Sequence, residues 1–280
     1  MKIVHTEFEL AEIQGRGVFV PTMGALHAGH GELVRRAAAT AKERGLEGVV
    51  VSVFVNPTQF NEQADFARYP RTLEADASLA AACGAAWVFA PEVSTMYPGG
   101  LAVGVPELPR SATEPKLEDM QRPGHFAGVC QVVRRLFELV RPRVAVFGEK
   151  DWQQLAVVRE MTAMLKMLVE VVEVETVRET DGLAMSSRNV FLTAEDRVRS
   201  VAIARALRAA SHERDRVAAE VGMVRMLGDA GIEPEYAVIR DATTLIAPSA
   251  SGRACRALIA ARLGKVRLID NAPWSPNSAA

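Results

Sequence analysis

The sequence predicts an α/β fold: a Rossmann-like, doubly wound parallel sheet, followed by a second, smaller α+β C-terminal domain. Three observations carry this. Short apolar runs alternate with amphipathic stretches through the first two thirds of the chain, the pattern of strands joined by crossover helices. The run GVVVSVFV at 48–55 is too apolar for a strand with one wet face and suits the interior of a parallel sheet covered on both sides. Past about residue 177 the texture changes to an Ala- and Arg-rich helix and several short strands.

In order, GVFVPT (17–22) reads as a buried strand and GELVRRAAATAKERG (31–45) as the helix after it, starting near Gly29 and stopped by Gly45. After the strand at 48–55 come a helix at 72–84, a strand at 86–90, a helix at 126–140 stopped by Pro142, a strand at 143–148, a helix at 151–168 and a strand at 169–176. A domain boundary is expected between 176 and 177, giving domains 1–176 and 177–280. In the second, an amphipathic helix covers 193–216, started by Thr193 with acidic residues in its first turn, and strands follow at 234–240, 254–263 and 265–270. The polar, Pro-rich NAPWSPNSAA is expected to fray. The Pro/Gly-rich stretch 91–124 is long enough for a loop that serves function.

A chain of 280 residues buries enough surface to need no staple. Its formal net charge of -1 argues against a general electrostatic grip on nucleic acid, which needs clustered uncompensated Lys and Arg. Cys83, Cys130 and Cys255 have neither metal-ligand nor redox spacing and read as free thiols in a reducing compartment. The N-terminus lacks the apolar run of a signal peptide and no segment has the length of a membrane span, which fits a cytoplasmic enzyme.

Ligands on doubly wound sheets bind beyond the carboxyl ends of the strands, and four unusual loops leave such ends. PTMGALHAGHGELV (21–34) passes from a strand through a tight turn at Gly24 into a helix start, whose unpaired N–H groups and dipole favour phosphate. His27 and His30 are three apart, so both rings face one side of the first helical turn. Gly29 between them permits close approach of an anion. Alone, the motif also fits a surface turn or a pair of metal ligands. FVNPTQF (54–60) offers Asn56 and Gln59, neutral hydrogen-bonding groups suited to hydroxyls and a carboxylate; alone it also reads as an Asn-Pro turn. FGEKDWQQL (147–155) places Lys150 and Asp151 at a turn and Gln154 in the next helical turn; Lys150 supplies a point charge, and Asp151 either caps the helix or accepts ribose hydroxyls. DGLAMSSRN (181–189) gathers Ser186, Ser187 and Arg188 into the chemistry of a polyphosphate clamp.

Taken together and in this order, Pro21-Thr22-Met23-Gly24 with His27-x-Gly29-His30, Asn56-Pro57-x-Gln59-Phe60, Tyr69-Pro70-Arg71-Thr72, Gly124-His125-Phe126, Phe147-Gly148-Glu149-Lys150-Asp151 and Met185-Ser186-Ser187-Arg188-Asn189 resemble the pantothenate synthetase (pantoate–β-alanine ligase) family, from about Val18 to Asp270. The histidine motif alone is shared by many nucleotidyltransferases and class I aminoacyl-tRNA synthetases; the combined set is far more specific. The resemblance implies that ATP, pantoate and β-alanine give pantothenate, AMP and pyrophosphate by way of a pantoyl-adenylate. It implies catalytic roles for His27, His30, Lys150 and Arg188, and an ATP site of Met23, His27, His30, Gly148, Lys150, Asp151, Val177, Met185, Ser186, Ser187 and Arg188. Gln59, Gln154 and Met23 are implied to hold pantoate, and Asn56 and Tyr69, with Arg122, to lie around β-alanine. Mg²⁺ is expected to travel with ATP and not in a protein-built metal site. A homodimer, and a C-terminal domain acting as a lid, are implied in the same way.

Two residues depart from the family pattern: Gly31 stands where a leucine is usual, and Trp152 where a tyrosine is usual. The main rival reading is a nucleotidyltransferase that adenylylates a phosphorylated acceptor, which Gln59 and Gln154 suit less well than an uncharged polyol acid. A non-enzymatic nucleotide binder is disfavoured by the joint presence of both histidines, Lys150 and the Ser-Ser-Arg run, and a tRNA synthetase fragment by the lack of a basic stripe.

Overall fold

A computed structural model describes residues 1–60, 63–102, 104–248 and 253–275. The chain forms two compact units: Met1–Gly148 with Val157–Glu175, and Glu149–Ala156 with Thr176–Ala280.

The first unit is built on six parallel strands, β1 (Lys2–Val4), β2 (Val18–Thr22), β3 (Val49–Val53), β4 (Trp87–Phe89), β5 (Val144–Gly148) and β6 (Glu170–Val174). Their spatial order is β1-β4-β3-β2-β5-β6. The direction of winding reverses between β2 and β5, which makes that junction the switch point of the sheet. The connecting helices are α1 (Ala28–Glu43), α2 (Leu73–Ala82), α3 (His125–Val140) and α4 (Trp152–Met164), the last with its residues up to Ala156 in the second unit. Strand periodicity sorts the core. Val18, Val20, Val144 and Val146 pack with Val34 and Ala37 of α1 and Ala77 and Ala80 of α2. Phe19 and Phe147, of opposite parity, meet Phe137 of α3 edge-on at 6.3 and 6.4 Å between ring centroids. Both faces of the sheet are therefore covered, as the Val-rich run predicts.

β2 pairs with β3 along its whole length, from Val18↔Val49 to Thr22↔Val53, but with β5 only at Val18↔Val144 and Phe19↔Ala145. Pro21 has no N–H with which to extend a ladder. The β2–β5 pairing is thus confined to the amino-terminal ends of the two strands.

The second unit holds a three-stranded antiparallel sheet, β7 (Pro234–Asp241), β8 (Cys255–Leu263) and β9 (Val266–Trp274), in that order. Helices α5 (Ala194–His212) and α6 (Arg216–Asp229) cover one face with Ile203, Leu207, Met223 and Leu227 against Ile239, Ala257 and Ile259. The smaller α+β part is as the sequence predicts, but the unit that holds it also takes in Glu149–Ala156, which the boundary expected between 176 and 177 leaves in the first domain.

Several elements differ from expectation. β1 and α6 have weak sequence signals: the first is three residues long, and the second carries Gly222 and Gly228 where an amphipathic pattern would be clearer. The helix expected over 151–168 ends at Met164, because Lys166 takes a left-handed conformation (φ 52°) and Met167 N–H returns to the Thr162 carbonyl, a closing turn normally marked by glycine. The tail does not fray from Asn271. Residues up to Trp274 continue β9, with the Trp274 indole N–H donating to the Ala210 carbonyl at 3.0 Å, while 276–280 lie outside the described residues.

Candidate active site

The histidine turn follows β2 directly. The Thr22 hydroxyl donates to the Ser52 carbonyl at 2.6 Å and accepts from Gly24 N–H at 3.1 Å, and Gly24 turns the chain at φ 85°. His27 is the N-cap of α1 in extended conformation (φ -133°), and its Nδ1 accepts from Gly29 N–H at 3.2 Å. His30 reaches back so that its Nδ1 accepts from His27 N–H at 3.3 Å. The two histidines thus form the reciprocal capping box that Ser/Thr and Glu usually make. A ring nitrogen that accepts carries no proton, so each neutral imidazole bears its proton on Nε2. The rings lie 4.1 Å apart between centroids. Beneath the turn, buried Asp76 of α2 accepts from Ala25 N–H at 3.1 Å and Leu26 N–H at 2.7 Å, and from the Thr72 hydroxyl at 3.2 Å. Sequence reasoning missed Asp76. Its signal was a carboxylate on the same helical stripe as buried Ala77 and Ala80.

The Gln59 turn leaves β3. Asn56 caps the short helix Pro57–Gln59 and is fully buried, with both polar atoms of its side chain engaged. Its Oδ1 accepts from Thr58 N–H (3.3 Å), the Thr58 hydroxyl (3.1 Å) and the Tyr97 hydroxyl (2.8 Å), and its Nδ2 donates to the Gly128 carbonyl (3.1 Å). Burial of Tyr97 pushes its phenol up to about 12, so it donates as a neutral group. The structure therefore gives Asn56 the work of holding the turn. Gly128 lets α3 approach, since a Cβ there would lie 2.3 Å from the Thr58 carbonyl oxygen. Buried His125 packs on the same turn, its Nδ1 3.1 Å from the Gln59 carbonyl and its Nε2 3.0 Å from an Arg122 guanidinium nitrogen. Gln59 itself is mostly buried, and the Tyr69 ring stacks edge-on against Phe60 at 5.7 Å.

In the second unit, Lys150 and Asp151 lie in the short helix Glu149–Asp151 that follows β5, with Lys150 Nζ 3.7 Å from an Asp151 oxygen. Gln154 lies in the first turn of α4, partly buried. Val177 and Met185 are brought together: Met185 N–H donates to the Val177 carbonyl at 2.9 Å, closing a hairpin that turns at Asp181-Gly182 (φ 96° at Gly182). Ser186, Ser187 and Arg188 follow at once, all partly buried, and the Ser186 hydroxyl accepts from Arg188 N–H at 3.2 Å. Among the described residues, no group of three or more His, Cys, Asp or Glu side chains is placed to hold a metal ion. All three cysteines are free and buried, and desolvation pushes the Cys130 thiol up to about 12.

A family model described as pantoate-beta-alanine ligase matches residues 2–273. The chain belongs to that family. It is 47% identical to the pantothenate synthetase of Nocardioides sp., an alignment that covers 97% of this chain and 84% of the relative. The crystal structure of pantothenate synthetase from Thermus thermophilus matches with a TM-score of 0.85 at 44% identity, covering 97% of this chain and 99% of that one. The pantoate-beta-alanine ligase of Francisella tularensis, solved with beta-gamma ATP and β-alanine, matches with a TM-score of 0.79 at 30% identity over 99% of this chain and 100% of that one. The resemblance read from the motifs holds: this is an ATP-using ligase, and the rival transfer to a phosphorylated acceptor finds no support among these relatives.

The two departures from the ligase pattern have local explanations. Gly31 is buried in α1, where an added Cβ would lie 3.0 Å from the Cys83 sulfur, so the volume that a larger residue would take is already occupied. The Trp152 indole N–H donates to the Ala242 carbonyl at 3.0 Å, and the Arg256 guanidinium stacks over its ring at 3.5 Å from the centroid.

Proposed function

We propose that this ligase condenses pantoate with β-alanine in two steps through an enzyme-held acyl-adenylate. In the first, a pantoate carboxylate oxygen attacks the α-phosphorus of ATP; the P–O bond to the β-phosphate breaks, giving pantoyl-adenylate and pyrophosphate. In the second, the β-alanine amine attacks the acyl carbon, the C–O bond to phosphate breaks and AMP leaves. The substrates are the nucleophiles, so the protein's part is to orient them and to neutralise charge on the phosphates.

The observation that carries this reading is the histidine capping box. With Nδ1 of both rings committed to backbone N–H groups, His27 and His30 act as neutral Nε2–H donors at a helix start, suited to phosphate oxygens. Lys150 and Arg188 add full charges, and Ser186 and Ser187 add hydroxyls. Asp151 and Gly148 are assigned to the ribose, and the paired backbone of Val177 and Met185 to adenine. Gln59, Gln154 and Met23 are assigned to pantoate, with Met23 supplying the apolar wall. Tyr69, beside Phe60, and Asn56 stay assigned to the surroundings of β-alanine, and Asn56 also shapes the turn of the pantoate residue Gln59. Mg²⁺ enters as the MgATP substrate. The lid role of the second unit, a homodimer and a cytoplasmic location belong to the same proposal; no helix among the described residues is long and apolar enough to cross a membrane.

The test is mass spectrometry after incubation with ATP, Mg²⁺ and pantoate, without amine. A pantoyl-adenylate is the expected product. Untouched ATP would refute the proposal.

A further inference from the structure

The turn that carries Lys150 is gripped from the other end of the chain. Asn271 on β9 is buried, and its Nδ2 donates to two successive carbonyls, of Glu149 and of Lys150, each at 2.9 Å. Its Oδ1 accepts from Arg256 Nε at 2.5 Å. That arginine, also buried, pairs with the Glu149 carboxylate and stacks on Trp152. The next residue back in β9 does the same for the other charged loop. Buried Asp270 takes a two-pronged bond from Arg178, at 2.6 and 3.0 Å. Arg178 also donates to the Gly182 carbonyl at 3.1 Å and pairs as a β-bridge with Ala184, so it holds the hairpin that delivers Ser186, Ser187 and Arg188.

We propose that the Asp270–Asn271 step is a positioning element for adenylate formation: Asn271, braced by Arg256, sets the turn of Lys150, and Asp270, through Arg178, sets the loop of Ser186–Arg188. This rests on the assignment of Lys150 and Arg188 to the phosphates of ATP. The geometry has a purpose in physical terms. Lys150 is a flexible four-carbon chain whose ammonium approaches an Asp151 oxygen at 3.7 Å, and the backbone from which it springs sets the direction of the rest. Two carbonyls clamped by one rigid amide define that backbone direction. A bidentate arginine does the equivalent for a hairpin. A single strand then keeps both sources of positive charge in one frame, and a displacement of about 1 Å there is felt as a large loss of rate.

The experiment measures pantoate-dependent exchange of pyrophosphate into ATP, together with the melting temperature of each variant. Asn271→Ala is expected to lower kcat/KM for ATP by about 10- to 100-fold while KM for pantoate changes less than about two-fold. In a Lys150→Ala background the same substitution is expected to have almost no further effect, because the side chain it aims is gone. Asp270→Asn is expected to behave in the same way against Arg188→Ala. Wild-type exchange in a folded Asn271→Ala protein would overturn the proposal, and so would an equal loss in both backgrounds. Should Asn271→Ala not fold, Arg256→Lys keeps the charge toward Glu149 and gives up the stacked fork. It is expected to lower kcat/KM for ATP about five-fold, the lower end of what misplacing a charged group does, and unchanged kinetics there would equally overturn the proposal. If Lys150→Ala and Arg188→Ala retain full exchange, the phosphate assignment falls and takes the positioning role with it, a result distinct from failure of Asn271→Ala alone.

Discussion

The histidine turn and the lysine turn are assigned to the same phosphates, yet they are built in opposite ways. The bonds that set the His27 and His30 rings span two and three residues. The bonds that set the Lys150 turn span 121 and 122. A histidine has a rigid ring with an acceptor on one edge, so local backbone N–H groups can orient it. A lysine has no acceptor for a local N–H and many rotamers, so apart from the approach of its ammonium to Asp151 its direction is set by the backbone, and that backbone is held from elsewhere in the fold. Function placed on a local cap leaves a motif in the sequence. Function placed on a long-range clamp leaves scattered residues with no spacing to read.

The largest expected effect tests whether the two turns are equal partners. His30→Ala and Lys150→Ala should each lose about 100-fold or more in turnover, the scale for removing one transition-state donor. Steady-state kinetics that leave either variant near normal would remove that turn from the comparison. Next is Asp76, the distant tether of the histidine turn. Asp76→Ala orphans the Ala25 and Leu26 N–H groups and should lower unfolding stability by about 2–3 kcal/mol in urea titrations. Unchanged stability and exchange would mean that the histidine turn holds itself without help.

A smaller effect is expected at the Gln59 turn. Asn56→Ala leaves the Tyr97 hydroxyl and the Gly128 carbonyl without their buried partner and should cost about 1–2 kcal/mol. If Gln59 contacts pantoate, KM for pantoate should rise in the same variant, and a stability loss with pantoate KM unmoved would separate fold from site. The smallest effect belongs to Gly31→Ala. Better helix propensity, worth about 1 kcal/mol, is set against the tight approach to the Cys83 sulfur, so the net change should stay within about 1 kcal/mol by thermal unfolding. A large loss would show that the first turn of α1 depends on glycine for more than space.

Much of the fold was legible because it rests on periodicity. β2, β3 and β5 are runs that only a doubly covered sheet can bury, and the histidine, asparagine and lysine motifs each sit where such a strand ends. The sequence by itself therefore determined the parallel sheet, the smaller α+β part that follows it and the family. Only the tertiary structure decided that Asn56 is a buried brace, that Lys166 stops a helix without glycine, that Asp76 sits under the histidine turn, and that β9 continues to Trp274. It also decided the longest-range fact, that Asn271 and Arg256 grip the Lys150 turn. Periodicity and short motifs are local properties of a chain. A buried polar group is placed by whichever distant backbone atoms need a partner, and that is settled only once the chain has folded.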